Sequence, residues 1–166
     1  VAALAFCPVS LRALDECQAD VLALTLFSDE RPLRGLIGLV DWRLRGALSR
    51  WVRSGFVSGQ WGERVLVPSH GRLTFPRLLL MGLGDKASYR ADRARAAAQA
   101  AVQVTTGLSS RTLAVGLFGL PQLNSPFKRT GVELCNELQE SELLDAVTVV
   151  ATDEHVQLIR EYGEFA

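Results

Sequence analysis

Charge of one sign, long apolar runs and paired cysteines are all missing from this sequence of 166 residues. Its 18 basic residues balance 18 acidic ones, so no overall field draws it to a polyanion, and nucleic acid and anionic membrane surfaces are not expected partners. No stretch reaches the roughly 18 to 20 consecutive apolar residues of a membrane span, and the opening VAALAFCPVS has no basic leader. A soluble, unexported, cytoplasmic protein is expected. Three cysteines, Cys7, Cys17 and Cys135, form no CxxC pair and sit in or beside apolar runs, as reduced, buried thiols do. The sequence starts at Val1 rather than at methionine, which leaves room for a longer polypeptide.

The usual signs of catalysis are absent too. An HExxH helix, paired CxxC motifs or clustered carboxylates would bring metal ligands together, and none occurs, so no metal and no cofactor is expected. His70, in the turn-like PSHGR, and His155, in the last helical segment, read as surface or capping residues. No GxSxG elbow offers a serine nucleophile, and no histidine stands ready to activate a cysteine. Catalytic residues are therefore not assigned.

Apolar residues make up 48% of the chain, enough to bury a core across one domain spanning residues 1–166. No repeat or linker interrupts an alternation of strand-type and helix-type patterns, which predicts an α/β sheet covered by helices. Six strands are expected at Ala3–Cys7, Val21–Phe27, Arg64–Val67, Arg77–Leu83, Thr112–Phe118 and Ala146–Ala151. A helix is predicted over Trp42–Ser54, with Asp41 as its N-cap, Gly55 at its end and Leu44, Ala47, Leu48, Trp51 and Val52 inward. A second spans Tyr89–Thr106 with an alanine face, and a third starts at a capping box of Thr130 and Glu133. The last helix should carry Val156, Ile159 and Tyr162 inward and stop at Gly163.

Two glycine turns are the only chemical signal, because a loop without Cβ atoms can aim backbone N–H groups at an anion. Gly35 and Gly38 precede the predicted helix start, beside Arg31, Arg34 and Asp41; Gly119 follows a strand, with Asn124 and Ser125 as further donors. Arg34, Gly35, Gly38, Asp41, Gly119, Asn124 and Ser125 are thus the candidate ligand set. Arg43, Arg45, Arg50 and Arg53 fall off the apolar stripe of the first predicted helix, with Trp42 on the side opposite Trp51. That face reads as a solvated surface or a subunit contact.

The run LRGLIGLVDWRLRGALSRWVRSGFVSGQWGERVLVP, followed by RLLLMGLGDK and an Ala-rich helix, resembles the N-terminal domain of the leucine aminopeptidase (cytosol aminopeptidase) family over about Asp20 to Gly107. The recurring elements are Asp41 and Gly46 on the first helix, the Gly59 to Glu63 turn, and the GLG of Gly82 to Gly84. The resemblance implies a three-layer macro-domain-like fold, with a mixed, mostly parallel six-stranded sheet flanked by helices. In that family a separate C-terminal domain, marked by NTDAEGR, holds two metal ions and cleaves the peptide; the motif is missing here. The resemblance therefore implies a non-catalytic interaction, assembly or regulatory module, freestanding or part of a longer metallo-aminopeptidase, whose partner is another copy or another protein chain. The alternative is a macro-like binder of ADP-ribose or another nucleotide. Against it, the strand Val21–Phe27 lacks the asparagines of macro domains, the adenine-binding aspartate is absent around Val9 to Leu11, and Leu36, Ile37 and Leu39 crowd the first loop. Weak or no nucleotide binding is expected.

Overall fold

The computed structural model describes residues 1–122 and 127–163. Strands β1 (Ala3–Cys7), β2 (Val21–Leu26), β3 (Arg64–Pro68), β4 (Arg77–Gly82), β5 (Thr112–Val115) and β6 (Ala146–Val150) form a sheet in the order β1-β6-β5-β2-β4-β3. Every neighbouring pair is parallel except β3 with β4 at one edge. The six expected strands are all present, each within a few residues of its predicted end.

Because side chains alternate across a strand, the inner strands feed two separate cores. Val21, Ala23, Leu79, Met81, Leu113, Val115, Val147 and Val149 face one layer, built from α4 (Ala91–Gly107), α5 (Phe127–Gln139) and α6 (Asp153–Gly163). Leu22, Leu24, Leu78, Leu80 and Ala114 face the other, where Leu14 of α1 (Leu11–Glu16), Ile37 and Val40 of α2 (Gly35–Arg43) and Leu48 of α3 (Ala47–Ser54) cover them. The three-layer arrangement expected from the resemblance is thus the one observed. Ala94, Ala97, Ala98 and Ala101 of α4 are buried, and such short side chains let the helix axis lie close to the sheet.

Local chemistry displaces several helix boundaries. The segment predicted as one helix over 42–54 is two, because Arg45 at φ 57° and Gly46 at φ 78° turn the backbone left-handed and stop the first. Gly35 is the first residue of α2 and Gly38 lies within it, rather than ahead of a helix. Asp41 is not an N-cap for residue 42; its carboxylate reaches across the break, accepting the Ser49 N–H at 3.0 Å and the Ser49 hydroxyl, and so caps α3. The inward stripe survives the break, with Leu44 and Leu48 buried. Helix α5 includes Phe127, so Thr130 lies within it rather than at its start, and Glu133 accepts from the Arg129 guanidinium at 2.9 Å. Tyr162 stands 59% exposed in the last turn of α6, where its hydroxyl can stay in water and the buried stripe is Val156 and Ile159 alone. The sequence reading had no α1, which Ser10 caps by accepting the Ala13 N–H at 3.1 Å.

The Gly59–Glu63 turn and the Gly82–Gly84 stretch lock together. Glu63 folds its carboxylate back onto the Ser58 and Gly59 N–H groups, each at 2.9 Å, and onto the Ser58 hydroxyl at 2.7 Å. The turn then presses on the end of β4, where Gly82 N–H donates to Glu63 O and Gly84 N–H to Gly59 O, both at 2.9 Å. A Cβ at Gly82 would stand 1.9 Å from the Gln60 carbonyl oxygen, so only glycine fits.

Gly82→Ala is therefore expected to cost about 2–3 kcal/mol, lowering the melting temperature by roughly 4–12 °C. Gly107→Ala, where an added Cβ meets nothing within 4 Å, should leave stability unchanged or raise it by up to about 1 kcal/mol. Equal melting points for the two variants would contradict the steric account. Asp41→Ala should cost about 1 kcal/mol through loss of the α3 cap, and Asp41→Asn should recover most of it.

Candidate functional site

The connections diverge between β2 and β5. From β2 the chain crosses one layer through α2 and α3 toward β3 and β4; from β5 it crosses the other through α5 toward β6. Such a point leaves a crevice at the carboxyl ends of the strands, where open α/β sheets bind ligands. Here it is a cleft of about 230 Å³ lined by the end of β2, the start of α2, residues Gly116–Gly119, and Val150 to Thr152 with His155.

Of the candidate ligand set, the fold brings Arg34, Gly35 and Gly119 into this cleft. Gly38 and Asp41 lie instead in a second groove, and Asn124 and Ser125 fall outside the described residues. Asp41 therefore does not oppose an anion in the cleft. Gly35, at φ 66°, opens α2 with free space around it, and Arg34 offers no side-chain cap to the first-turn N–H groups. Gly119, at φ 76°, has a packing role: a Cβ would meet the Phe27 ring at 2.9 Å and Leu83 at 3.0 Å. Tyr89 holds the same loop, stacking edge-on to Phe27 at 5.1 Å between centroids and donating its hydroxyl to the Phe118 carbonyl. Burial raises the Tyr89 phenol well above its ordinary pKa, which keeps it a donor.

The walls are mostly Leu24, Leu26, Leu33, Leu36, Ile37 and Val150. Leu36 and Ile37 fill the loop as expected, whereas Leu39 is not part of the lining. Four polar lining residues, Thr25, Glu30, Thr152 and His155, are outside the ligand set expected from the sequence. Glu30 pairs with Lys86 at 2.7 Å, and His155 arrives from α6 only because β6 lies beside β5. No sequence spacing signals either.

The second groove, about 720 Å³, is lined by Gly38, Asp41, Trp42, Arg43, Arg45, Gly46 and Arg72. It gathers much of the predicted interface. Trp42 is 72% exposed, while Trp51 is half-buried against the core, the two standing on different helices rather than opposite sides of one. Arg43 is not a free surface cation: it grips Asp15 with two nitrogens, at 2.7 and 3.2 Å, and this hydrogen-bonded pairing holds the Asp15 carboxyl below its usual range. Arg50 donates to the Arg45 carbonyl at 2.8 Å, and Arg45 and Arg53 are exposed.

Among the described residues no group of three or more His, Cys, Asp or Glu side chains is placed to hold a metal ion, and no helix is long and apolar enough to cross a membrane. Cys7 and Cys135 are buried and Cys17 is half-buried. Burial, with the Cys17 thiol beside it, pushes Cys7 up to about 11, and burial alone pushes Cys135 up to about 12. At neutral pH the thiolate fraction of either is then below about one in a thousand. A thiol reagent applied to the native protein at pH 8 is expected to leave Cys7 and Cys135 unmodified, and to modify all three cysteines after denaturation. Fast native labelling of Cys135, mapped by mass spectrometry, would refute this.

Comparison with known proteins places this geometry. A probable cytosol aminopeptidase of Alkaliphilus oremlandii is 22% identical over 113 residues, which cover 68% of this chain and 23% of that protein. The chain spans about a quarter of the length of the curated relatives it matches. A mutant tomato leucine aminopeptidase superposes with a TM-score of 0.64 at 20% identity, over 98% of this chain and 35% of that one. The Trypanosoma brucei macrodomain solved with ADP superposes at 0.67 with 15% identity, over 96% and 68%. At those identities the two structures establish a shared fold. The model of the N-terminal domain of the cytosol aminopeptidase family matches residues 23–141, extending past the motif-bearing stretch into α5, and by that match the chain belongs to this family.

Proposed function

We propose that the chain is a non-catalytic assembly or regulatory module of the aminopeptidase type, acting in the cytoplasm through protein contacts on its α2–α3 face. The observation that carries this reading is Trp42, a large apolar side chain left 72% exposed in a wide groove among arginines. An exposed aromatic beside arginines is the composition of an interface anchor. The family match is to an N-terminal domain, and the curated relatives continue well beyond the length of this chain, which supports a role alongside a peptidase domain.

The rival reading is nucleotide binding, favoured by the macrodomain solved with ADP and by the open N-terminus of α2 in the cleft. Size and lining weigh against it. A cleft of about 230 Å³ falls short of the roughly 300–1,000 Å³ typical of small-molecule sites, and its walls are largely aliphatic.

Calorimetry with ADP-ribose is therefore expected to give a dissociation constant above about 1 mM, less than roughly 4 kcal/mol of binding. Micromolar binding that disappears in Gly35→Val, with an unchanged circular dichroism spectrum, would replace the module by the nucleotide reading. The same purified chain should release no leucine from a chromogenic leucyl amide, with or without added divalent metal.

A further inference from the structure

Among the described residues seven large apolar side chains are exposed: Val1, Trp42, Phe56, Trp61, Leu66, Leu143 and Tyr162. Several have neighbours that account for them. Phe56 packs edge-on against Trp51 with centroids 5.9 Å apart, and the Arg93 guanidinium lies 4.9 Å from the centre of the Trp61 ring. Trp42 and Leu143 differ from the rest, because each sits within a patch of one sign of charge.

The two patches become clearer once internal pairs are set aside. Around Trp42, Arg43 is neutralised by Asp15, and the Asp41 carboxylate is turned onto Ser49. Arg45 and Arg72 remain, lining both the Trp42 groove and the adjoining depression that runs to Trp51 and His70, with neither guanidinium paired to a described carboxylate. Around Leu143, in the loop between α5 and β6, Asp145 is taken by Arg111 at 2.9 Å, while Glu140 and Glu142 are exposed and have no cationic partner among the described residues. The basic patch belongs to the α1–α3 layer; the acidic loop connects α5, in the opposite layer, to β6.

Resting on the module reading, we propose that the Trp42 groove of one copy receives the Glu140–Asp145 loop of a second copy, with Leu143 against Trp42 and Glu140 and Glu142 against Arg45 and Arg72. Charge complementarity favours this occupant. With 18 basic and 18 acidic residues the chain carries no net charge to repel a second copy, and the unpaired Arg45 and Arg72 lie by Trp42 while the unpaired Glu140 and Glu142 flank Leu143. The contact joins two different patches, so it closes as a two-fold pair if both contacts form reciprocally and otherwise extends to a ring or a filament.

The test is sedimentation equilibrium on the full chain and two charge-reversed forms, Arg45→Glu with Arg72→Glu, and Glu140→Lys with Glu142→Lys. The wild type should exceed monomer mass at high concentration, and each reversed form alone should stay monomeric with an unchanged circular dichroism spectrum. Their equimolar mixture should associate as the wild type does, because each reversed patch then meets a complementary one. Association should also weaken between 0.1 and 1 M salt, as the screening length falls from about 10 to about 3 Å. A monomeric wild type, failure of the mixture to associate, or association strengthened by salt would each overturn the proposal. A monomer that instead binds an acidic peptide through Arg45 and Arg72 also overturns it, while leaving the module reading standing. That reading falls instead to the ADP-ribose titration or to leucine release by the purified chain.

Discussion

Parallel strands can be joined only by crossovers, and each crossover lays a helix on one face of the sheet or the other, so the sheet formed by β1, β6, β5, β2 and β4 has to be covered on both sides. That requirement organises the rest of the molecule. It makes consecutive residues such as Val21, Leu22, Ala23 and Leu24 apolar, sends them alternately into two cores, and forces the connections from β2 and β5 apart. The cleft follows from that divergence. Its position is a property of the topology, shared with folds that do bind ligands there, and does not by itself assign chemistry to this chain.

What occupies that region is decided by side chains. Tyr89, Phe27 and Gly119 form one packed unit, in which the missing Cβ admits the Phe27 ring and the tyrosine hydroxyl ties down the Phe118 carbonyl. Leu36 and Ile37 narrow the opening from the helix side. The glycine at the loop tip is therefore spent on packing, and the family's glycine turns serve the same end elsewhere: Gly82 and Gly59 bring two backbone segments together, and Gly46 reverses the chain between α2 and α3. The shared motif residues describe how this domain folds.

Polar surface is distributed differently. Many charged groups near the cleft or the grooves have a partner in the same copy, as with Arg43 and Asp15, Lys86 and Glu30, or Arg95 and Glu137 at 2.7 Å. Exposed pairs of this kind contribute little to stability, so their interest lies in what they leave unpaired. Among the charges left over, Arg45 and Arg72 line the groove of the exposed Trp42, and Glu140 and Glu142 flank the exposed Leu143.

The sequence by itself determined the six strands, the covered sheet and the alanine face of α4, because apolar periodicity over several residues reports burial directly, and the motifs around Asp41, Gly59 to Glu63 and Gly82 to Gly84 pointed to the family. It also placed Trp42 outside and Leu44 and Leu48 inside, though through a helix that turned out to be two. Tertiary structure alone decided the cap that Asp41 gives to α3 across the break, the separation of Gly38 and Asp41 from Arg34, Gly35 and Gly119, and the arrival of Glu30 and His155 in the cleft. The reason is physical. A left-handed turn at Arg45 and Gly46 leaves no mark on apolar periodicity, yet it redirects everything after it. Which strands lie side by side is likewise set by burial of the whole sheet, so residues 120 positions apart, such as Gly35 and His155, come to line one cleft only once the order β6-β5-β2 is formed.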